Sequence, residues 1–338
     1  MDLVQHFKIF ATRSDYNAYI ANDNYIKPLV AYIQDEDLVV MPQGAPPVLR
    51  SVSVSDFPTT QTDFGPSSTV TAINLPPQVT TINYNAFQGA TALKSVDFRG
   101  TAITTISENA FSNCTGLETL DFTDTPITTF SHSCFQGCSS LKSVILTGTA
   151  LRSISPYCFQ NCASLEAIDL SGYAGAVISQ DAFSGCSSLK SVLLSPSITN
   201  LSTRCFSNCS SLETIDLSVC TSLPTLGDSM FSNCTSLKNV TLPTSVTRTF
   251  YGSFQLCTAL ETIEFPSTAI TALGNNLFYG CSALRSFTIR TTTPPSIGTT
   301  TFGNTSADLK IYVPSSAVSA YKAATTWKNY ASQIFAIP

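Results

Sequence analysis

Apolar residues return along this chain on a fixed schedule. A phenylalanine recurs every 23 to 25 residues, at Phe87, Phe111, Phe135, Phe159, Phe183, Phe206, Phe231, Phe254, Phe278 and Phe302. A cysteine follows three residues later in eight of these units, from Cys114 to Cys281, and a leucine six residues later from Leu93 to Leu284. Bulky apolar residues then fill positions nine and eleven, as in Val144 and Leu146. A weaker copy starts at Phe64 with Val70, Ile73 and Leu75, and the last copy keeps Ile311 and Val313 with its leucine displaced to Leu309. A period near 24 residues held over eleven units reads as a solenoid, in which each unit buries its apolar face only against its neighbours.

Within each unit the LxxVxL segment alternates with period two and carries β-branched residues, so it predicts a short strand with one buried face. Around the phenylalanine, apolar positions at −1, 0, +3 and +6 predict a short helical or 3₁₀ turn that points Phe, Cys and Leu inward. Apolar pairs further upstream, such as Ile103 with Ile106 and Leu151 with Ile154, predict a second extended edge. Outside the array, the run VPSSAVSAYKAATTWKNYASQIFAI predicts a capping helix over residues 317–324 with Val318, Tyr321 and Trp327 on its apolar face. Near the N-terminus, residues 29–34 and 38–41 flank an acidic turn and predict a hairpin. The chain therefore divides into a leader (residues 1–63), a repeat array (64–313) and a helical cap (314–338).

Composition narrows the function. Only 12% of residues are charged, and the net charge of −5 argues against a nucleic-acid partner. Residues 1–63 hold four Lys/Arg against eight Asp/Glu, a net of −4, so most of the charge lies in the leader. The opening MDLVQHFKIFATRSD has no continuous apolar segment or small-residue cleavage site, and no run of 18 apolar residues follows. This predicts a product made in the cytoplasm without membrane insertion. Twelve cysteines in a secreted chain would suggest a disulfide framework, but here most of them occupy one repeat position.

The units resemble the BspA-like class of leucine-rich repeats, as seen in AFSNCTGLETLDF (residues 110–122) and AFSGCSSLKSVLL (182–194). That resemblance implies an α/β repeat solenoid, right-handed, with a parallel sheet on one face, short 3₁₀ or helical turns opposite and a C-terminal capping helix. It also implies a non-enzymatic surface or adhesion role. The leader, RSDYNAYIANDNYIKPLVAYIQDEDLVVMP, resembles those of gut Bacteroidetes surface and phage structural proteins.

The candidate chemistry divides into three groups. Cys134 with Cys138 and Cys158 with Cys162 have spacing compatible with a four-thiolate zinc site, but Ala86, Ala110 and Ala182 fill the position of Cys134 in other units. The expectation is reduced core cysteines and no cofactor or metal. On the outward strand positions a charge ladder alternates through Lys94, Glu118, Lys142, Glu166, Lys190, Glu213, Lys238, Glu261 and Arg285. Beside it runs a candidate binding row of Asp97, Asp121, Ile145, Asp169, Leu193, Asp216, Thr241 and Glu264, which gives the array a period of two units. Asp97 and Asp121, on adjacent rungs, are the one pair suited to glycosidase chemistry. The two histidines, His6 and His132, offer no metal or triad pattern.

The sequence thus predicts a binding or structural protein. The first setting it suggests is a bacteriophage virion appendage anchored to other virion or self subunits through residues 1–63, with Tyr16, Tyr19, Tyr25 and Tyr32 as anchoring residues. The alternative is a cell-surface or secreted adhesin. In either setting the array faces a protein or glycan on a host surface. Deleting residues 1–63 is expected to abolish assembly and leave a folded, monomeric array. Light scattering with circular dichroism checks this: unaltered assembly moves the interface onto the repeats, and an unfolded product makes the leader an essential cap.

Overall fold

The computed structural model describes residues 7–10, 30–33, 38–40, 50–51, 71–75, 77 and 79–338. The chain forms two compact units, Met1–Leu151 and Arg152–Pro338, built on one plan of about eleven coils in all. Each coil places its LxxVxL strand in a parallel sheet. In the first unit Arg50–Ser51, Ala72–Asn74, Ser95–Asp97, Thr119–Asp121 and Ser143–Ile145 pair successively. The parallel stack thus has a rung upstream of residue 64. In the second unit Ala167–Asp169 pairs with Ser191–Leu193 and Thr214–Asp216 with Asn239–Thr241. Thr262–Phe265, Ser286–Ile289, Lys310–Val313 and Ile334–Ala336 then pair in a row. Register brings equivalent residues side by side, Val96 to Leu120 to Val144, and these inward residues are buried while their neighbours face outward.

The predicted second edge is present as a row of two-residue strands. Thr81–Ile82, Thr105–Ile106 and Thr129–Phe130 pair in the first unit. In the second unit the row comprises Ser153–Ile154, Val177–Ile178 and Asn200–Leu201, then Thr225–Leu226, Arg248–Thr249, Ala272–Leu273 and Ser296–Ile297. Its inward column of Ile, Leu and Phe meets the strand residues and the phenylalanine column in the core.

The third side differs from the regular helical turn that the spacing predicts. Each segment around the phenylalanine is a chain of overlapping four-residue turns, as in Ala86 N–H to Asn83 O, Gln88 N–H to Asn85 O and Ala90 N–H to Phe87 O. The intervening N–H groups bond to the next coil: Asn85 to Glu108 O, Phe87 to Ala110 O and Gly89 to Ser112 O. Turning alternate N–H groups outward requires positive φ two residues before and two after the phenylalanine, which no helix accommodates. Asn, Asp, Ser and Gly hold most of these positions, such as Asn109 (φ 54°), Asn113 (φ 60°) and Gly185 (φ 77°). A side chain at position 185 would also place its Cβ 2.3 Å from Asn161 Oδ1, so glycine meets two demands there.

This arrangement stacks like on like. The rings of Phe87, Phe111 and Phe135 lie 5.0 and 5.5 Å apart in the first unit. From Phe159 to Phe302 successive rings lie 5.3 to 5.8 Å apart and nearly parallel. The cysteine column has its own partner, because its thiols donate to the carbonyl of the phenylalanine one coil earlier. Cys114 reaches Phe87 O at 3.0 Å and Cys138 reaches Phe111 O at 3.2 Å. Cys186, Cys209, Cys234, Cys257 and Cys281 do the same in the second unit at 3.0 to 3.3 Å. Burial pushes the thiols of Cys114, Cys186, Cys234 and Cys281 up to about 12, which keeps the proton that this bond uses.

The C-terminal cap forms at the predicted place with a more broken backbone. A 3₁₀ turn at Ser315–Ala317 leads into an α-helix at Val318–Ala323, followed by a second 3₁₀ segment at Trp327–Gln333. Tyr321 and Trp327 close the core, donating to Thr291 O at 3.0 Å and to Pro295 O at 2.7 Å. Val318, placed on the same face by the sequence, is only half-buried. The closing strand Ile334–Ala336 was not foreseen, because IFAI is too short to alternate visibly. In the leader, Val30–Ile33 pairs antiparallel with Leu38–Val40 as the hairpin predicts, and Phe7–Phe10 adds a parallel strand.

Two stability predictions follow from the columns. Phe206 is fully buried and stacked at 5.5 and 5.8 Å between Phe183 and Phe231, so Phe206→Ala is expected to cost about 3 to 5 kcal/mol in urea unfolding. Stability should also fall at alkaline pH. Below about pH 8.5 the thiols are protonated in both states, and their contribution is fully present. Above it the unfolded chain loses protons that the folded chain retains, up to about 12. Each such thiol then removes about 1.4 kcal/mol per pH unit. Unfolding midpoints measured between pH 8 and pH 10.5 should decline steeply, and Cys234→Ala should reduce the slope.

Candidate functional site

The outward face of the sheet carries the residues the sequence singled out. In the charge ladder, Lys142 Nζ lies 3.2 Å from Glu118 Oε2, Lys190 Nζ 3.1 Å from Glu166 Oε2, and Lys238 Nζ 2.9 Å from Glu213 Oε2. Each lysine thus reaches back to the acid of the preceding coil, across two exposed side chains worth no more than about 1 kcal/mol. Glu261 and Arg285 share the same register through Arg285 N–H to Glu261 O at 2.9 Å, with no side-chain ion pair between them. Lys94 heads the ladder in the first unit.

The neighbouring row has a different logic. Asp97, Asp121 and Ile145 are consecutive register partners, and so are Asp169 with Leu193 and Asp216 with Thr241. Each aspartate accepts a hydrogen bond from the backbone N–H two residues on. Thr123 donates to Asp121 at 2.9 Å, Ser171 to Asp169 at 2.9 Å, Ser218 to Asp216 at 2.8 Å and Arg99 to Asp97 at 3.1 Å. These bonds close the turn that leaves the strand. The coils of Ile145, Leu193 and Thr241, which lack the aspartate, turn near Gly148, Pro196 and Pro243 instead. Glu264 is engaged by Arg290.

The carboxylate pair considered for glycosidase chemistry is adjacent in register, but Asp97 is committed elsewhere. Arg99 grips both its oxygens at 2.9 Å, and this bonding holds the carboxyl below its usual range. The row also leaves large apolar side chains in the open, with Ile145 41% and Leu193 57% exposed.

The remaining candidates fall elsewhere. All twelve cysteines are buried, and no group of three or more metal-ligating side chains comes together among the described residues. His132 is exposed in the turn before Cys134. His6, Tyr16, Tyr19 and Tyr25 lie outside the described residues, and for Tyr32 only its backbone in Val30–Ile33 is described. No helix among the described residues is long and apolar enough to cross a membrane.

Two features were missed from the sequence. Asp181, 2% exposed, holds the Arg204 guanidinium by two bonds at 2.9 and 2.8 Å. Phe250 and Tyr251 stand out of the second edge, 37% and 48% exposed. The signal for the latter was available: RTFY replaces the polar–apolar–polar pattern seen as TIS in residues 105–107.

Several solved structures are similar to this chain. A leucine-rich repeat protein of T. pallidum is 22% identical, covering 68% of this chain and 86% of its own, with a TM-score of 0.44. One from Bacteroides ovatus is 19% identical over 91% of this chain and 98% of its own, with a TM-score of 0.43. A leucine rich cell surface protein of Faecalibacterium prausnitzii is 18% identical over 89% and 94%, with a TM-score of 0.42. No curated protein matches. The profile of the BspA type leucine rich repeat region matches in six copies, spanning residues 61–176, 152–270 and 217–325. With its stacked LxxVxL strands and its Phe and Cys columns, the chain belongs to the BspA-type leucine-rich repeat family.

Proposed function

We propose that this chain is a non-enzymatic attachment protein whose outward sheet face binds a protein on another surface. The observation that carries the reading is Leu193, the most exposed large apolar side chain among the described residues, standing in a row otherwise made of acids, Thr and Ile145. Its neighbours in the ladder are already ion-paired and its register partner Asp169 accepts a backbone N–H, so the face offers an apolar contact beside polar groups that already have partners. That is the make-up of a protein interface core, which is depleted in free charge and ringed by polar groups. A face of paired parallel strands suits a broad partner better than a small molecule. The setting we propose is a cell-surface or secreted adhesin, and a virion appendage is the second form of the same reading.

The test is binding of the full chain to a panel of purified extracellular-matrix and envelope proteins by surface plasmon resonance. A bound partner is expected to lose at least about tenfold in affinity on Leu193→Asp, a change of about 1.4 kcal/mol, with the melting temperature unchanged. An affinity that does not move places the contact elsewhere.

A further inference from the structure

The second edge of the Arg152–Pro338 unit follows a simple rule that one coil breaks. Its inward column holds Ile178, Leu201, Leu226 and Leu273, all buried, but Thr249 takes the place between the last two. The outward position following it is Ser179, Ser202, Gly227, Gly274 and Gly298 in other coils, and here it is Phe250. Polarity is therefore inverted: the hydroxyl is inside and the ring is outside. The inward hydroxyl is used by the backbone of the next coil, but the outward ring fills no core space.

The backbone has been adapted to the exception. In neighbouring coils the outward residue's N–H pairs with the preceding coil's carbonyl, as Ser202 does with Ile178 O and Phe250 with Leu226 O, both at 3.0 Å. Gly274 N–H instead bonds Thr249 Oγ1 at 3.0 Å. A Cβ at position 274 would lie 2.0 Å from Phe250 O, so glycine is required there.

Each displayed ring has one side-chain contact, and the backbone between them is held by a third. The Arg248 guanidinium carbon sits 5.1 Å from the Phe250 ring centroid. Asp228, one coil earlier, accepts the Tyr251 N–H at 2.9 Å, and Asn276, one coil later, donates to the Tyr251 hydroxyl at 2.7 Å. Such preorganisation lowers the ordering cost of binding.

We propose that Phe250 and Tyr251, with Arg248, Asp228 and Asn276, form a binding site for a neutral glycan. A pyranose ring has an apolar C–H face that lies on an aromatic ring, and an edge of hydroxyls that both donate and accept. The site supplies two ring faces, a carboxylate acceptor, an amide and a guanidinium donor. Its charges are one of each sign, which disfavours phosphate-rich nucleic acid and anionic lipid headgroups. Two rings bordered by Gly, Ser, Thr and Asn are also too small for the apolar core of a protein interface, which buries about 800 Å² on each partner. The site lies on a different face from Leu193, so it stands independently of the sheet-face reading.

The experiment applies the full chain to an immobilised panel of neutral hexose and N-acetylhexosamine oligosaccharides. At least one member should bind, and Phe250→Ser and Tyr251→Ser should each weaken that binding at least about tenfold. Phe250→Ser installs the side chain the column carries elsewhere, so its melting temperature should stay within about 2 °C of the parent. Leu193→Asp should leave glycan binding unchanged. If a variant melts early, saturation-transfer NMR on the unmodified chain decides by whether the Phe250 and Tyr251 ring protons contact the sugar. The proposal is overturned if no oligosaccharide binds, if binding survives both substitutions, or if these substitutions abolish binding to a protein partner instead.

Discussion

Backbone pairing between each coil and the next is the constraint on which the rest depends. It operates on every side of the coil: through the sheet strands, through the short edge strands, and through the turn segments, where alternate N–H groups point at the following coil. Parallel pairing sets equivalent residues about 4.8 Å apart, so each side chain stacks on its counterpart. A residue type persists in a column only if it tolerates its own kind above and below. Phenylalanine does so by near-parallel stacking, and cysteine by donating to a carbonyl that the same pairing presents one coil away.

The same constraint shapes the surface. Like charges stacked at every rung would repel, so the ladder alternates, and Lys142, Lys190 and Lys238 each pair with the acid before them. The aspartates beside it close turns at the ends of their strands, and glycine or proline replaces that device in the coils of Ile145, Leu193 and Thr241.

Both proposed contact sites lie where a column is broken at the surface. Leu193 and Ile145 are exposed apolar residues in an acidic row, and Phe250 is an exposed ring in a column of serine and glycine. Each departs from what its neighbours show to be sufficient for folding. The paired ladder, the aspartate turns and the buried thiols conform to the stack, so their recurrence follows from structure.

By itself the sequence determined the repeat, its length, the strand in each unit, the inward columns and the place of the cap, since each follows from apolar spacing along a single coil. It also determined the alternation of charge, because opposite signs at one repeat position must become neighbours. Tertiary structure decided the rest. The phenylalanine segment has helix-like spacing, yet positive φ at residues such as Asn109 and Asn113 makes it a chain of turns, because its N–H groups are needed by the next coil. Asp97 is legible as one of a carboxylate pair, but Arg99 occupies both its oxygens through a local fold that spacing does not reveal. The platform at Phe250 and Tyr251 depends on Asp228 and Asn276 from the coils on either side, 22 to 26 residues away in sequence. Stacking alone brings those groups together.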